Sequence, residues 1–169
     1  MKIVYGLFFL LSLLAGCSKA TSSESSSGGK FPSVIAEMES NGELPVLDRS
    51  ASLGGVDANK NGIRDDIELL IASQHRSPEE TQAMQQFARA IQSGLSSNIK
   101  TRDEVQSNSV RVGKAIGCLF DRSGNDAERL FKLINGSTKN TRARILEEDR
   151  VDELASGMVF DSYGSEDCE

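Results

Sequence analysis

Asp57-Ala58-Asn59-Lys60-Asn61-Gly62-Ile63-Arg64-Asp65-Asp66-Ile67-Glu68 decides how the rest of the chain is read. Oxygen-bearing side chains stand at loop positions 1, 3, 5, 9 and 12, and glycine stands at position 6. A single loop with this spacing can wrap a calcium ion and pass directly into a helix. Alternate positions turn Asp57, Asn59 and Asn61 inward, and Gly62 permits the sharp bend that follows. The Ile63 carbonyl supplies a backbone oxygen, Asp65 reaches the ion directly or through water, and Glu68 closes the cage with two oxygens. Oxygen donors without a nearby Cys or His favour calcium over zinc or copper, and magnesium resists a large all-protein cage. An ordinary Asx- and Gly-rich turn would explain Asp57 or Gly62 singly, with Asp65 or Asp66 complementing a helix dipole. It does not require a glutamate at the twelfth position.

Outward from the loop, the pattern is helical. Ile67, Leu70 and Ile71 share one face of a helix expected over residues 63–73. Ser77 reads as an N-cap, with Pro78 at the first helical position and Glu79 and Glu80 in the first turn. Met84, Phe87, Ala88, Ile91 and Leu95 then form an apolar stripe that Gly94 and residues 96–98 should end. A longer helix over about 101–120 turns Val105, Val112, Ile116 and Leu119 inward. A short one beginning at Asn125 carries Ala127, Leu130, Phe131 and Ile134, with Asn135-Gly136 as its left-handed stop. Asn140 should cap a last helix to about Ser156, with Val151, Leu154, Ala155 and Met158 facing the core. A further short helix is expected over 33–39, and Leu44-Pro45-Val46-Leu47 reads as extended. The adjacent Gly54 and Gly55 argue against a helix entering the loop. The expected fold is therefore all-α: a small helical bundle with one calcium-type loop leading into a helix.

The N-terminal residues read as an address. Lys2 supplies a positive charge, residues 3–14 are almost wholly apolar, and Leu14-Ala15-Gly16-Cys17 follows. That apolar run is short for a membrane span and suits a signal peptide. Residues 21–30 (TSSESSSGGK) have the composition of a flexible tether. The expected organisation is a signal peptide over 1–16, a lipidated N-terminus and tether over 17–30, and one helical domain over 31–169. Without Lys2, 18 basic residues face 25 acidic ones. A domain so acidic, with no Trp, is a poor candidate for nucleic acid, and anionic lipid surfaces would repel it. The remaining cysteines, Cys118 and Cys168, form a candidate disulfide in an oxidising compartment, against the alternative of two unrelated thiols.

Catalytic constellations are not evident in the sequence. His75, the only histidine, stands beside Arg76 after the loop's helix and reads as a solvated helix-end residue. Acidic residues at 147–149 and 152–153 alternate with Arg144 and Arg150 at helical spacing, which suits a solvated face. The chain is read as not an enzyme.

Several segments resemble known families. Leu14-Ala15-Gly16-Cys17 resembles a bacterial lipobox, which implies a diacylglyceryl group on Cys17, cleavage before it and membrane attachment through the lipid. Ser18 in place of an aspartate implies, by the same resemblance, outer-membrane sorting. The lone loop with only an exit helix resembles the EF-hand-like calcium loops of dockerin-like and thrombospondin-type-3-like proteins, although Arg64 stands where an apolar residue is usual. That likeness implies a structural ion. The loop core Gly62-Ile63-Arg64-Asp65-Asp66, Ile116-Gly117-Cys118-Leu119, Asn140-Thr141 and the terminal cysteine together resemble uncharacterised bacterial envelope lipoproteins. The expectation is a lipid-anchored, calcium-binding envelope protein. The alternative is an adaptor or immunity-type inhibitor that engages another envelope protein through a helical surface held in shape by calcium.

Overall fold

Residues 31–164 and 168–169 are described by the computed structural model, with the backbone alone for 31–33; Cys17, the leader and the tether lie outside the described residues. Six α-helices follow one another: α1 (Phe31–Ser40), α2 (Asp65–Ala72), α3 (Pro78–Ser96), α4 (Arg102–Ser123), α5 (Ala127–Thr138) and α6 (Arg142–Ala155). A short 3-10 turn, Gly124–Asp126, joins α4 to α5. No strand occurs among the described residues, so the expected all-α class is the one observed.

Helix α3 lies at the centre because it buries the most side chains. Met84, Phe87, Ala88, Ile91 and Leu95, the stripe read from the sequence, are all buried. They pack most extensively against α4, and also against α5 and α2. Phe87 of α3 stacks on Phe131 of α5 with ring centroids 5.1 Å apart. Reciprocal capping boxes start the two long helices. The Glu80 N–H donates to Ser77 Oγ at 3.2 Å while the Ser77 N–H donates to Glu80 Oε2 at 3.3 Å. Thr101 and Glu104 repeat the arrangement on α4. Each cap satisfies amide groups that a helix start leaves unpaired, worth about 1 kcal/mol.

Four boundaries differ from the sequence pattern. Helix α2 begins at Asp65 because Arg64 is extended (φ −64°, ψ 137°) and turns its side chain inward. Helix α3 runs through Gly94 to Ser96, and Asn98 takes the positive φ that ends the region. Helix α5 continues through Asn135-Gly136 to Thr138. Its last turn persists because Arg64 donates to the carbonyls of Ser137 (3.0 Å) and Thr138 (3.1 Å), which a helix end otherwise leaves unsatisfied. Thr141, not Asn140, caps α6, accepting the Arg144 N–H at 3.3 Å. Asn140 instead holds Asp48 O and the Arg144 guanidinium. Val151, Leu154, Ala155 and Met158 are half-buried, and the one fully buried residue of α6 is Arg144.

Cys118, buried on α4, is joined to Cys168 with a Cα–Cα distance of 5.2 Å. Asp161, Tyr163 and Gly164 lie against α4, where Gly113 and Gly117 leave room. A Cβ on Gly117 would stand 2.4 Å from the carbonyl oxygen of Tyr163. Among the described residues no helix is long and apolar enough to cross a membrane.

Candidate metal centre

Residues 50–64 contain no helix, in keeping with the two glycines, so the loop is not held by a helix pair. A chain of buried ion pairs and hydrogen bonds holds it instead. Arg64 is fully buried and grips Asp66 through Nε–Oδ1 (2.5 Å) and Nη2–Oδ2 (2.8 Å). Asp66 Oδ2 also accepts the Asp48 N–H at 2.7 Å. Arg144, likewise fully buried, donates to the carbonyls of Asp48 (2.6 Å), Ser52 (3.0 Å) and Leu53 (3.2 Å). The segment leading into the loop is thus clamped between α6 and the first turn of α2. Gly55 makes the clamp possible: its φ is +64°, and a Cβ there would lie 2.2 Å from Arg64 Cδ. Burial and the neighbouring Arg64 guanidinium hold Arg144 below the usual arginine range. Burial pushes the Asp48 carboxyl up, but hydrogen bonds from Ser50 and Val56 and the charge of Arg144 outweigh it, leaving the group below its ordinary value.

Within the loop, the expected ligand residues are drawn together. Asp57 accepts the N–H groups of Asn61 (Oδ1, 3.1 Å) and Gly62 (Oδ2, 2.9 Å). Asn59 Oδ1 accepts the Asn61 N–H at 3.1 Å, and Asn61 Oδ1 accepts the Ile63 N–H at 2.9 Å. Asp65 ties both ends, its N–H donating to Val56 O (2.8 Å) and its Oδ1 accepting the Ala58 N–H (3.0 Å). Asn59 Nδ2 donates to Glu68 at 3.0 Å, and Asn61 Nδ2 donates to the same carboxylate. Gly62 takes φ +85°, the bend that position 6 requires. Ile63, at position 7, points its side chain into the core at 1% exposure, so burial of the side chain fixes where its carbonyl sits.

The donor set suits a hard cation. Three carboxylates, two amide oxygens and one carbonyl are oxygen donors, and each Oδ1 that accepts an N–H keeps a second lone pair. The carboxylates do not form a metal cluster alone: among the described residues no three His, Cys, Asp or Glu side chains gather closely enough. The amides of Asn59 and Asn61 must therefore complete any cage; both now reach Glu68 through Nδ2, so each would have to turn its oxygen toward the ion.

Sequence reading missed Arg89, Asp48 and Arg144. Arg89 of α3 donates through Nε to Asn61 O at 3.2 Å and pairs through Nη1 with Glu169 at 2.6 Å. Nothing local in the sequence signals these contacts, since each partner is distant along the chain. His75 is exposed, as a solvated helix-end residue should be. No protein-family model, curated protein or solved structure matches the chain.

Proposed function

We propose that this is a calcium-binding, lipid-anchored cell-envelope protein in which the ion is structural. The observation that carries the reading is that Asn59, Asn61 and Glu68 meet inside a loop whose backbone Asp57 and Asp65 already hold in a turn; an ion would take the place of the amide N–H groups that now face Glu68. Bound calcium would supply the positive charge that the three carboxylates lack. Asp57, Asn59, Asn61, Asp65, Glu68 and the Ile63 carbonyl would hold it. A sensor needs a helix pair that opens, whereas this loop has an exit helix and a buried anchor at Ile63 and Arg64. That favours a structural over a regulatory ion. The lipid anchor is proposed from Cys17 and its preceding Leu14-Ala15-Gly16.

Thermal melting with calcium and with chelator tests the ion. Calcium at a hundred times its dissociation constant should stabilise the fold by roughly 2.7 kcal/mol, and magnesium by much less. Identical melting curves in calcium and chelator would reject it. Metabolic labelling with a fatty acid tests the anchor: the protein should be marked, and Cys17→Ala should not be.

A further inference from the structure

Helix α6 does not close on the core along its whole length. Val151 and Ala155 on its inner face stay half-buried, and a cleft of about 400 Å³ lies between them and α3, α4 and α5. Its volume is within the range of sites for small molecules. Val112 and Ile116 of α4 and Phe131 of α5 line it and are also half-buried, while Phe160 of the tail is 41% exposed. Apolar surface left around one concavity by several elements suits a ligand with an apolar body.

Charge on the same walls sets the sign of the ligand. Glu148, Asp152 and Asp161 place three carboxylates there against the single ammonium of Lys139, which is already paired with Glu148. Asp152 and Asp161 are exposed, and neither side chain makes a hydrogen bond or ion pair among the described residues. Asp152 supplies the independent observation. Partial burial and the charges of Glu148 and Asp149 push its carboxyl up, although Lys139 opposes them. The ionised group is therefore held where it destabilises the fold, yet open to solvent on the wall of an apolar cleft. An unpaired carboxylate in such a place is poised for a cation from outside the chain.

We propose that this cleft binds a small amphiphilic amine, with its apolar body against Ile116, Phe131 and Phe160 and its ammonium group paired with Asp152. Asp161 adds negative potential to the cleft without having to touch the ligand. A fatty carboxylate would bring a further negative charge among these groups and is disfavoured. No residue of loop 57–68 lines the cleft, so the inference goes beyond the calcium reading and does not rest on it.

Calorimetry on the oxidised protein at pH 7, with octylamine, ethylamine and octanoate as probes, tests it. Octylamine should bind saturably and at least tenfold tighter than either of the others, because ethylamine lacks the apolar body and octanoate the positive charge. Asp152→Asn keeps the shape of the side chain and removes its charge, so it should weaken octylamine about tenfold. Thermal melting should show that variant to be no less stable than wild type at the same pH, a separation of binding from stability that a structural role for Asp152 would not give. Absence of saturable octylamine binding, equal affinity for ethylamine or octanoate, or full affinity in Asp152→Asn overturns the proposal. A protein that takes octylamine but no calcium would contradict the calcium reading and leave this one standing.

Discussion

Asp66→Ala removes the carboxylate at loop position 10, which the calcium pattern leaves without a metal-ligating role. The fold gives it another. The Arg64 guanidinium is fully buried and has Asp66 as its only carboxylate partner among the described residues, with contacts of 2.5 and 2.8 Å. The substitution leaves that charge buried and deprives the Asp48 N–H of its acceptor. Breaking such a pair costs about 3–5 kcal/mol, a large share of a domain's total stability. At about 3 °C per kcal/mol for a domain of this size, the melting temperature should fall by about 10–15 °C. Urea unfolding followed by circular dichroism should show a lower midpoint at an unchanged slope. The double variant Arg64→Met with Asp66→Leu carries no orphaned charge, so it should lose less than Asp66→Ala, although the Ser137 and Thr138 carbonyls lose a donor. A single variant within about 1 kcal/mol of wild type would refute the role assigned to the pair. So would a double variant weaker than the single one.

Reduction, or Cys168→Ser, should cost up to about 4 kcal/mol, since the bridge closes a separation of 50 residues; calorimetric melting with and without reductant reads this. The protein should lose stability in acid. Hydrogen bonds from Arg49 to Glu39, from Lys100 and Thr101 to Glu104, and from Arg150 to Glu147 hold these carboxyls below their usual range. Their contribution is complete above the unfolded carboxylate values and is lost as pH falls through the lower folded ones, so melting temperatures should drop below about pH 4. Asp152 behaves oppositely: burial, with Glu148 and Asp149 nearby, pushes its carboxyl up. Its favourable contribution is complete below the unfolded value and lost as pH rises through the folded one. Asp152→Asn should therefore raise the melting temperature at pH 7 and leave it unchanged at pH 3.

The elements legible in the sequence are those whose causes are local. The α3 stripe repeats every three to four residues, and Ser77-Pro78-Glu79-Glu80 carries its own capping chemistry, so both were readable directly. The ligand spacing of the loop was readable for the same reason. Asn135-Gly136 misleads as a helix stop because the last turn of α5 is held by Arg64, more than seventy residues earlier. Arg144 reads as part of a solvated face, and Arg64 only as a departure from the apolar residue usual at its loop position, because arginine is rarely fully buried and its partners here are mostly carbonyls on distant segments. Asn140 precedes the cap because its amide is taken by Asp48 and Arg144. In each case a tertiary hydrogen bond overrides a local preference worth about 1 kcal/mol.

Isothermal titration of the chelator-treated protein with calcium separates an ion-binding loop 57–68 from an ordinary Asx- and Gly-rich turn. One saturable site is expected, with a dissociation constant of about 10⁻⁵ to 10⁻³ M. Glu68→Ala and Asp57→Ala should abolish the heat, while Asp66→Ala, destabilised but still folded at the titration temperature, should retain it. A wild-type titration without saturable heat, or one unchanged by Glu68→Ala, would rule out calcium binding by this loop.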